Sequence, residues 1–585
     1  MAAAYAGIAA VALAPIAGQF LSKLDSPAEV GLMSGFDARG TAEIGSNSLA
    51  RGGLLGASPD LIQPSSTGDP SSLITTFGGG AGYRGAGPRS VGQAHNGVSA
   101  RRQSEFVQSE PQAPDFNTEG YDRIAENEFR KASDHPLSTF SIDVDKASYA
   151  NVRRFITAGG MPPKDAVRVE ELINYFSYDY PEPRNADPLS ITLESAACPW
   201  NDAHKLVRIG LKAKELPKDD LPPSNLVFLI DTSGSMSGPG RLELIQRALP
   251  LLVSQLREED SVALVAYAGS AGLVLPSTSG ADKRAILSAI ERLSSGGGTA
   301  GGAGIELAYK VAAEGFKKKG NNRVILATDG DFNLGVSSDG ELTRLIEAKR
   351  SKGIFLSVLG FGTGNYQDAK MEKLADNGDG NYAYIDDILE ANKVLVQEMG
   401  GTLFTVAKDV KVQVEFNPGR VSAYRLLGYE NRLLKSEDFN NDKKDAGEMG
   451  SGHTVTALYE VVPAGVKADV PGVDPLKYQK TSPVVFAGGN ELLTVKFRYK
   501  APDGDKSRLV EKVLEDEDRP WSRASEDFRF AASVAGFGML LRGSTAAGDL
   551  DYDKLERMAK GAVGKDADGY RKEFVGLIGK ARSRQ

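Results

Sequence analysis

The chain has 585 residues, of which 41% are hydrophobic, and it carries a formal net charge of −8. This length predicts several domains, and the acidic balance, without a stripe of Lys and Arg interleaved with aromatic residues, argues against nucleic-acid binding. Because Cys198 is the only cysteine, an internal disulfide and a cysteine-ligated zinc or iron–sulfur site are excluded within one chain.

The N-terminal segment is unusually apolar. Residues 1–21 carry no charge, and residues 5–18 are rich in Ala, a pattern typical of the apolar region of a signal peptide or of part of a membrane helix. No positively charged segment precedes it, and Pro15 would block cleavage after Ala14. We interpret residues 1–24 as a signal or membrane-anchor segment, with an Ala-rich tail as the alternative.

The next segment, residues 25–118, is rich in Gly, Ser and Pro and has little hydrophobic periodicity. This composition predicts a flexible, disordered linker. Residues 80–85 have the spacing of a dinucleotide-binding glycine motif, but the sequence predicts neither a strand before them nor a helix after them, so we do not interpret them as a site.

Ordered structure is predicted to begin near residue 119. Asp143 and Asp145 occupy alternate positions of a predicted strand, which favours the solvated face of that strand over a metal site. The predicted elements up to residue 219 are a strand at 137–145, helices at 147–157 and 167–176, and strands at 191–195 and 206–211.

Polar loops follow two apolar runs in the middle of the chain. The run 226–230 ends in Asp-Thr-Ser-Gly-Ser at residues 231–235, and the run 324–327 is followed closely by Asp329. Between them, Thr299 lies in a glycine-rich loop that precedes a helical pattern. Carboxylates and hydroxyls at the carboxyl edge of a sheet are hard oxygen ligands, and they indicate a magnesium site.

These three loops, in this order, resemble the von Willebrand factor type A (VWA) domain and its metal-ion-dependent adhesion site. In that family the serines of the first loop bind the ion directly, the threonine binds it directly or through water, and the aspartates act mostly through water. Asp331, beside Asp329, is expected to be a solvated loop residue. The resemblance implies a metal site of Asp231, Ser233, Ser235, Thr299 and Asp329.

The chemistry of this ligand set favours Mg²⁺, with Mn²⁺ or Ca²⁺ as alternatives. Because the ligands are mainly neutral hydroxyls, the ion keeps positive charge, and an Asp or Glu of a protein partner can complete its shell. A Rossmann-like domain whose loops hold no ion is the alternative. Residues 138–149, 153–155 and 162–171 also resemble the N-terminal region of a bacterial envelope family of type A proteins, and the resemblance extends over 119–585.

The periodicity predicts an α/β fold. Apolar runs alternate with amphipathic segments over 220–401, which indicates a doubly wound, mostly parallel sheet. From residue 402 the period changes to two, which indicates antiparallel strands. We expect these strands to pair with those before residue 220, so that the Rossmann-like VWA domain is inserted in a β-sandwich-like domain.

The C-terminal region, within 525–580, has a helical pattern. One apolar face of it is predicted to pack in a core, and its residues are Phe528, Phe530, Ala531, Val534, Phe537 and Leu540. The predicted domains are an anchor-like segment (1–24), a linker (25–118), an N-terminal flanking α+β region (119–219), the VWA domain (220–401), a β-rich domain (402–520) and a helical C-terminal region (521–585).

Catalytic motifs are absent from the sequence. The four histidines are scattered, and there is no zinc-protease helix, Walker A loop or nucleophile elbow. The sequence therefore predicts a metal-ion-dependent protein-binding protein, acting in adhesion or as a scaffold, that is exported to or anchored in the bacterial cell envelope. The alternatives are a structural scaffold whose metal only stabilises the loops and, more remotely, a metal-dependent enzyme. The sequence gives no indication of an oligomeric state.

Overall fold

The computed structural model describes residues 119–584, apart from residues 185–186, 218–219, 239, 300, 331–338, 365, 399–403, 445, 468–469 and 471–488. The predicted anchor segment 1–24 and linker 25–118 lie outside the described residues and stay predictions. Within the described part of the chain, no helix combines the length and the apolar character needed to cross a bilayer.

The described part of the chain contains both strands and helices. The strands are β1 (Arg130–Lys131), β2 (Leu137–Ser141), β3 (Leu189–Cys198), β4 (Asn201–Ala213), β5 (Ser224–Asp231), β6 (Ser261–Tyr267), β7 (Ala271–Ser279), β8 (Asn321–Thr328), β9 (Phe355–Gly360), β10 (Tyr382–Tyr384), β11 (Thr405–Phe416), β12 (Val421–Leu427), β13 (Leu433–Leu434), β14 (Gly447–Gly450), β15 (Thr454–Pro463), β16 (Glu491–Lys500) and β17 (Arg508–Glu515). The helices are α1 (Ala147–Thr157), α2 (Val169–Asn174), α3 (Leu242–Gln255), α4 (Lys283–Glu291), α5 (Gly301–Glu314), α6 (Asp339–Arg350), α7 (Asp368–Asn377), α8 (Ile388–Asn392), α9 (Glu526–Arg542), α10 (Tyr552–Lys560) and α11 (Tyr570–Arg582). A π-helical segment, Lys393–Gln397, continues α8.

The VWA sheet has the strand order β10-β9-β8-β5-β6-β7. Its strands are parallel except β7, which pairs antiparallel with β6 at one edge. The central strand β5 is buried along its whole length, because α3, α4 and α8 cover one face of the sheet and α5, α6 and α7 cover the other. The predicted doubly wound, mostly parallel sheet is confirmed.

Two elements of this domain were missed in the sequence. Helix α7 buries only a few apolar side chains, Met371, Leu374 and Ala375, and its remaining polar residues hide the helical period. Strand β10 is 3 residues long, which is too short for an alternating pattern to register.

Two further sheets share one apolar core and form a β-sandwich-like domain. One sheet has the order β1-β12-β15-β4-β3, and the other has the order β13-β2-β11-β16-β17. In each sheet a strand that precedes the VWA domain pairs with one that follows it, since β4 pairs with β15 and β2 pairs with β11. The predicted insertion of the VWA domain in a β-sandwich-like domain is therefore confirmed.

The C-terminal helices pack on the N-terminal region of the chain. Phe176, next to α2, meets Phe530 of α9 and Phe574 of α11 with edge-to-face geometry. The single apolar face predicted for α9 is too narrow: 13 of its 17 residues are buried, because α2, α10 and α11 surround the helix, whereas Leu540 is only partly buried.

Buried arginines join the VWA domain to the rest of the described chain, residues 119–217 and 404–584, which we call the frame, and two of them bond helix α7. Arg168 of the frame bonds two carboxylates of α7, Asp368 (2.7 Å) and Glu372 (2.8 Å). Arg432 of the frame also bonds α7, through Glu372 (2.9 Å) and Asp376 (3.0 Å). Helix α7 is thus fixed to the frame by charge-assisted hydrogen bonds.

The interpretation of Asp143 and Asp145 as the solvated face of a strand is wrong. Strand β2 ends at Ser141, and Asp145 is 4% exposed. Both carboxylates face Arg432, Asp145 at 3.0 Å and Asp143 at 3.4 Å. The arginine arrives from 287 residues along the chain, so local alternation could not reveal it.

Carboxyl groups outnumber guanidinium groups in this network. Burial raises the pKa of Glu171 to about 8, although the charge of Arg168 lowers it. Burial likewise raises the pKa of Asp376 to about 7 and that of Asp368 to about 6, against lowering by Arg432 and Arg168 respectively. These carboxyls bind protons in the folded state at pH values where the unfolded chain has released them.

We expect the stability of the protein to fall as pH rises from 6 to 8. A raised folded-state pKa contributes stability that is complete below the unfolded pKa near 4 and is lost as pH passes the folded pKa, at up to about 1.4 kcal/mol per pH unit for each proton. Chemical denaturation across this range measures it. The Glu171→Gln variant should flatten the profile, whereas Glu306→Gln, on an exposed site of α5, should not. A free energy of unfolding that stays constant or rises between pH 6 and pH 8 would contradict the raised pKa values of these carboxyls.

The insertion predicts different behaviour for two fragments. Residues 220–401 contain the whole VWA sheet and should fold alone. Residues 402–520 lack β2 and β4, so β11 and β15 would expose unpaired edges and the fragment should aggregate. Light scattering and thermal melting of both fragments test this. A soluble 402–520 fragment that melts cooperatively would show that the pairing across the insertion is dispensable.

Candidate metal site

The candidate metal site lies at the carboxyl edge of the VWA sheet. Asp231 is the last residue of β5, and Asp329 directly follows β8. The two strands are parallel neighbours, with Ile230 opposite Ala327, so both aspartates reach the same edge. Both residues are fully buried, at 0% exposure.

The first loop brings two hydroxyls beside the Asp231 carboxylate. The Ser233 N–H donates to Asp231 Oδ1 at 2.9 Å, and the hydroxyl oxygens of Ser233 and Ser235 are 2.9 Å apart. A single 3₁₀ turn, Gly234–Met236, produces this convergence because it folds the second serine back over the first.

The second loop is tied to the first by backbone hydrogen bonds. Gly234 N–H donates to Gly297 O (3.0 Å), and Gly296 N–H donates to Thr232 O (2.8 Å). Gly297 has a φ of +86°, a conformation that glycine adopts without strain. Thr299, which is partly exposed, lies two residues beyond this junction, so the loop that carries it is held against the two serines.

Two residues that support Asp231 were missed in the sequence. The Tyr267 hydroxyl donates to Asp231 Oδ2 at 2.9 Å, and the Thr328 hydroxyl donates to the same oxygen at 3.1 Å. Tyr267 ends β6 directly opposite Asp231. Its position at the end of an apolar run was visible in the sequence, but only the strand register shows which side chain it meets.

The charges at this edge fit a divalent cation. Burial raises the pKa of Asp231, hydrogen bonds from Ser233 and Tyr267 lower it, and the charge of Asp329 raises it further. Two buried carboxylates that repel each other are stabilised by a cation between or beside them. In the described residues, no group of three or more His, Cys, Asp or Glu side chains is arranged to hold a metal. A metal at this edge therefore depends on the serine and threonine hydroxyls, which are hard oxygen ligands suited to Mg²⁺.

The structure thus brings Asp231, Ser233 and Ser235 into contact, places Asp329 at the same edge, and ties the loop of Thr299 to them. The assignment of these residues as metal ligands stays a prediction. Asp331, expected to be a solvated loop residue, lies outside the described residues.

Comparison with family profiles matches three segments of the chain. Residues 225–398 match the von Willebrand factor type A domain, and residues 115–208 match a von Willebrand factor profile. Residues 401–583 match the C-terminal region of uncharacterized protein YfbK. The profile boundaries are close to those of the VWA sheet and of the β-rich and helical regions that follow it.

The chain is also similar to individual proteins. It is 46% identical over 470 residues to uncharacterized protein YfbK of Escherichia coli K12, and the aligned region covers 79% of this chain and 80% of the relative. It is 32% identical over 189 residues to uncharacterized protein sll0103 of Synechocystis, and the aligned region covers 32% of this chain and 44% of the relative. The solved von Willebrand factor type A protein from Catenulispora acidiphila is 18% identical, covers 68% of this chain and 90% of its own, and has a TM-score of 0.36.

The double substitution Ser233→Ala with Ser235→Ala is expected to abolish Mg²⁺ and Mn²⁺ binding, because alanine supplies no oxygen ligand. The sheet should stay folded, since β5 is buried independently of the two hydroxyls. Calorimetric titration of Mn²⁺ into both proteins measures the effect. Ser237→Ala, an exposed serine of the same loop, is the matched control. Equal metal affinity in the double variant and the parent would rule out these serines as ligands.

Proposed function

Because this chain belongs to the YfbK family of VWA-domain proteins, we propose that it is a metal-ion-dependent protein-binding protein of the bacterial cell envelope. Its VWA domain would capture a protein partner through Mg²⁺ held by Asp231, Ser233, Ser235, Thr299 and Asp329. The coarser part of this function, a protein-interaction or adhesion role, follows from the VWA domain itself.

The observation that carries the proposal is the convergence of the Ser233 and Ser235 hydroxyls, 2.9 Å apart, beside a buried aspartate. Neutral hydroxyls neutralise none of the charge of an ion, and water-mediated carboxylates neutralise it only partly. The ion therefore keeps affinity for one more anionic oxygen, which an Asp or Glu of the partner would supply. Ser235 is only partly buried and Gly234 is exposed, so the first loop is open to a partner.

The scaffold alternative assigns the metal only to loop stabilisation. The first and second loops are already joined by two backbone hydrogen bonds between residues 232–234 and 296–297. These bonds already hold the two loops together. Much of the loop order that a structural ion would provide is therefore present without it, which favours partner binding over a purely structural ion.

A non-enzymatic role is proposed on the chemistry of the described site. Its side chains offer hydroxyl and carboxylate oxygens, and Asp231 accepts its hydrogen bonds from Ser233, Tyr267 and Thr328. An extracytoplasmic location is proposed on the uncharged, Ala-rich segment within residues 1–24.

The test is a pull-down from envelope extract with the full chain as bait, in Mg²⁺ buffer and in EDTA. We expect the Asp329→Ala and Thr299→Ala variants to lose partner capture together with the EDTA-treated protein, because loss of a ligand or of a group that orders its waters weakens metal sites by about 10 to 100-fold.

Two substitutions outside the three loops are the matched controls for this pull-down. Asp202→Ala changes an exposed aspartate, and Thr278→Ala changes a threonine that is partly exposed, as Thr299 is. Both variants should capture the partner as the parent does. Partner capture that survives EDTA and both site variants would replace adhesion through the ion by the scaffold alternative.

A further inference from the structure

A cavity of about 180 Å³ lies between the VWA sheet and the frame. The sheet contributes Arg323, Ile325 and Ser357, the π-helical segment contributes Val394 and Leu395, and the frame contributes Phe176 and His453. Arg323 is the third residue of β8, whereas Asp329 follows the last residue of the same strand. At about 3.3 Å per residue, the cavity and the candidate metal site are roughly 20 Å apart along the strand.

Arg323 is a buried cation without a buried counterion. Arg323 is 3% exposed, Nη1 donates to Ser357 Oγ at 2.7 Å, and the guanidinium carbon lies 5.5 Å from the centroid of the Phe355 ring. Nε has no hydrogen-bond partner among the described residues, and no described carboxylate lies within the 4.0 Å of an ion pair. Glu448 and Asp379 act on it only over longer distances, and burial lowers its pKa to about 10, so the guanidinium stays charged at neutral pH.

Ser357 adds a second donor at the same place. Its Oγ accepts hydrogen bonds from Arg323 Nη1 and, at 3.2 Å, from the Asn381 N–H. Because both of these groups donate to the oxygen, the hydroxyl hydrogen is left to donate in turn. Arg323 and Ser357 therefore form a donor group that has no described acceptor, in a wall of the cavity.

The other ionisable groups around the cavity are compensated. Glu398 bonds Lys146 (2.8 Å) and Lys393 (2.6 Å), and Asp145 bonds Arg432 (3.0 Å). His453 is neutral, because burial lowers its pKa to about 3. It keeps part of its surface accessible although it is deep in the protein, since that surface faces the cavity. Among these groups, Arg323 is the buried cation that has no carboxylate in ion-pair contact.

We propose that this cavity binds a small aliphatic monocarboxylate, whose carboxylate is held by Arg323 and Ser357. A carboxylate would supply the anion that the Arg323 guanidinium lacks, and it can accept from a guanidinium and a hydroxyl together. The aliphatic part would lie against the apolar wall formed by Leu252, Ile325, Leu359, Ala383, Val394 and Leu395. A cavity of this size holds roughly ten non-hydrogen atoms.

This site is separate from the proposed metal site, and its occupancy has a structural consequence. The contacts named for the ligand all belong to the VWA domain, and Phe176 and His453 of the frame also line the cavity. Binding to the folded state alone raises the melting temperature. Arg323 also borders a more polar cavity of about 380 Å³, but the hydrogen bond to Ser357 directs Nη1 to the smaller, apolar one.

The test is calorimetric titration of the full chain in EDTA, which removes any contribution of a metal site. Hexanoate is expected to bind with a Kd between about 0.01 and 1 mM, and hexanol, which has the same chain without the charge, should bind at least about 100-fold more weakly. The absence of saturable hexanoate binding at roughly ten times the upper limit overturns the proposal. Sulfate that binds as tightly as hexanoate overturns the assignment to an aliphatic carboxylate.

Substitution separates a ligand-binding arginine from a structural one. Arg323→Met is expected to abolish hexanoate binding without lowering the melting temperature, because it removes a buried charge that no described carboxylate pairs with. Arg247→Met, on the exposed side of α3, is the matched control and should bind as the parent does. Unchanged hexanoate affinity in Arg323→Met overturns the proposal.

Ser357→Ala keeps the test decisive if Arg323→Met fails to fold. Removal of one hydrogen bond to a charged group should weaken hexanoate binding by about 10-fold or more. Hexanoate should also raise the melting temperature of the parent more than that of the Ser357→Ala variant. Equal affinities and equal thermal shifts in the two proteins would show that the ligand, if it binds, lies elsewhere.

Discussion

Two antiparallel strand pairings, β4 with β15 and β2 with β11, constrain the whole described structure. Each joins chain segments on opposite sides of the VWA domain, so the sandwich core requires the two ends of that inserted domain to lie close together. The entropy of closing so long a connection grows only slowly with its length. A compact inserted domain lowers that cost further, because its two ends are close together: Lys214 O and Phe404 O accept hydrogen bonds from the adjacent Gly452 and Ser451 N–H groups.

Strand pairing fixes the two connections to the VWA domain, and the buried charges fix its orientation. Arg168 and Arg432 both bond Glu372 of α7, and each bonds a further carboxylate of that helix. Buried ion pairs contribute little net stability compared with apolar packing, but loss of one partner costs about 3–5 kcal/mol. An arrangement in which α7 does not contact both arginines would leave buried charges unpaired, and it is therefore disfavoured.

The same sheet presents opposite electrostatic character at its two ends. At the carboxyl edge, Asp231 and Asp329 are buried with hydroxyls around them. Toward the other end of β8, Arg323 is buried with a hydroxyl and no described carboxylate partner. In both places an ionisable group is buried at a desolvation cost that apolar packing alone does not offset.

The sequence by itself determined much of the local structure: apolar strand runs, helical periods, the change to a two-residue period after residue 401, and the carboxylate and hydroxyl residues at the ends of β5 and β8. These follow from short-range periodicity and from the chemistry of single residues. Only the tertiary structure decided that Tyr267 supports Asp231, that Asp145 meets Arg432, that α9 is buried nearly all round, and that Arg323 has no described counterion. Each of these depends on which distant segment arrives at a given surface, and strand register and domain docking carry that information while local sequence does not.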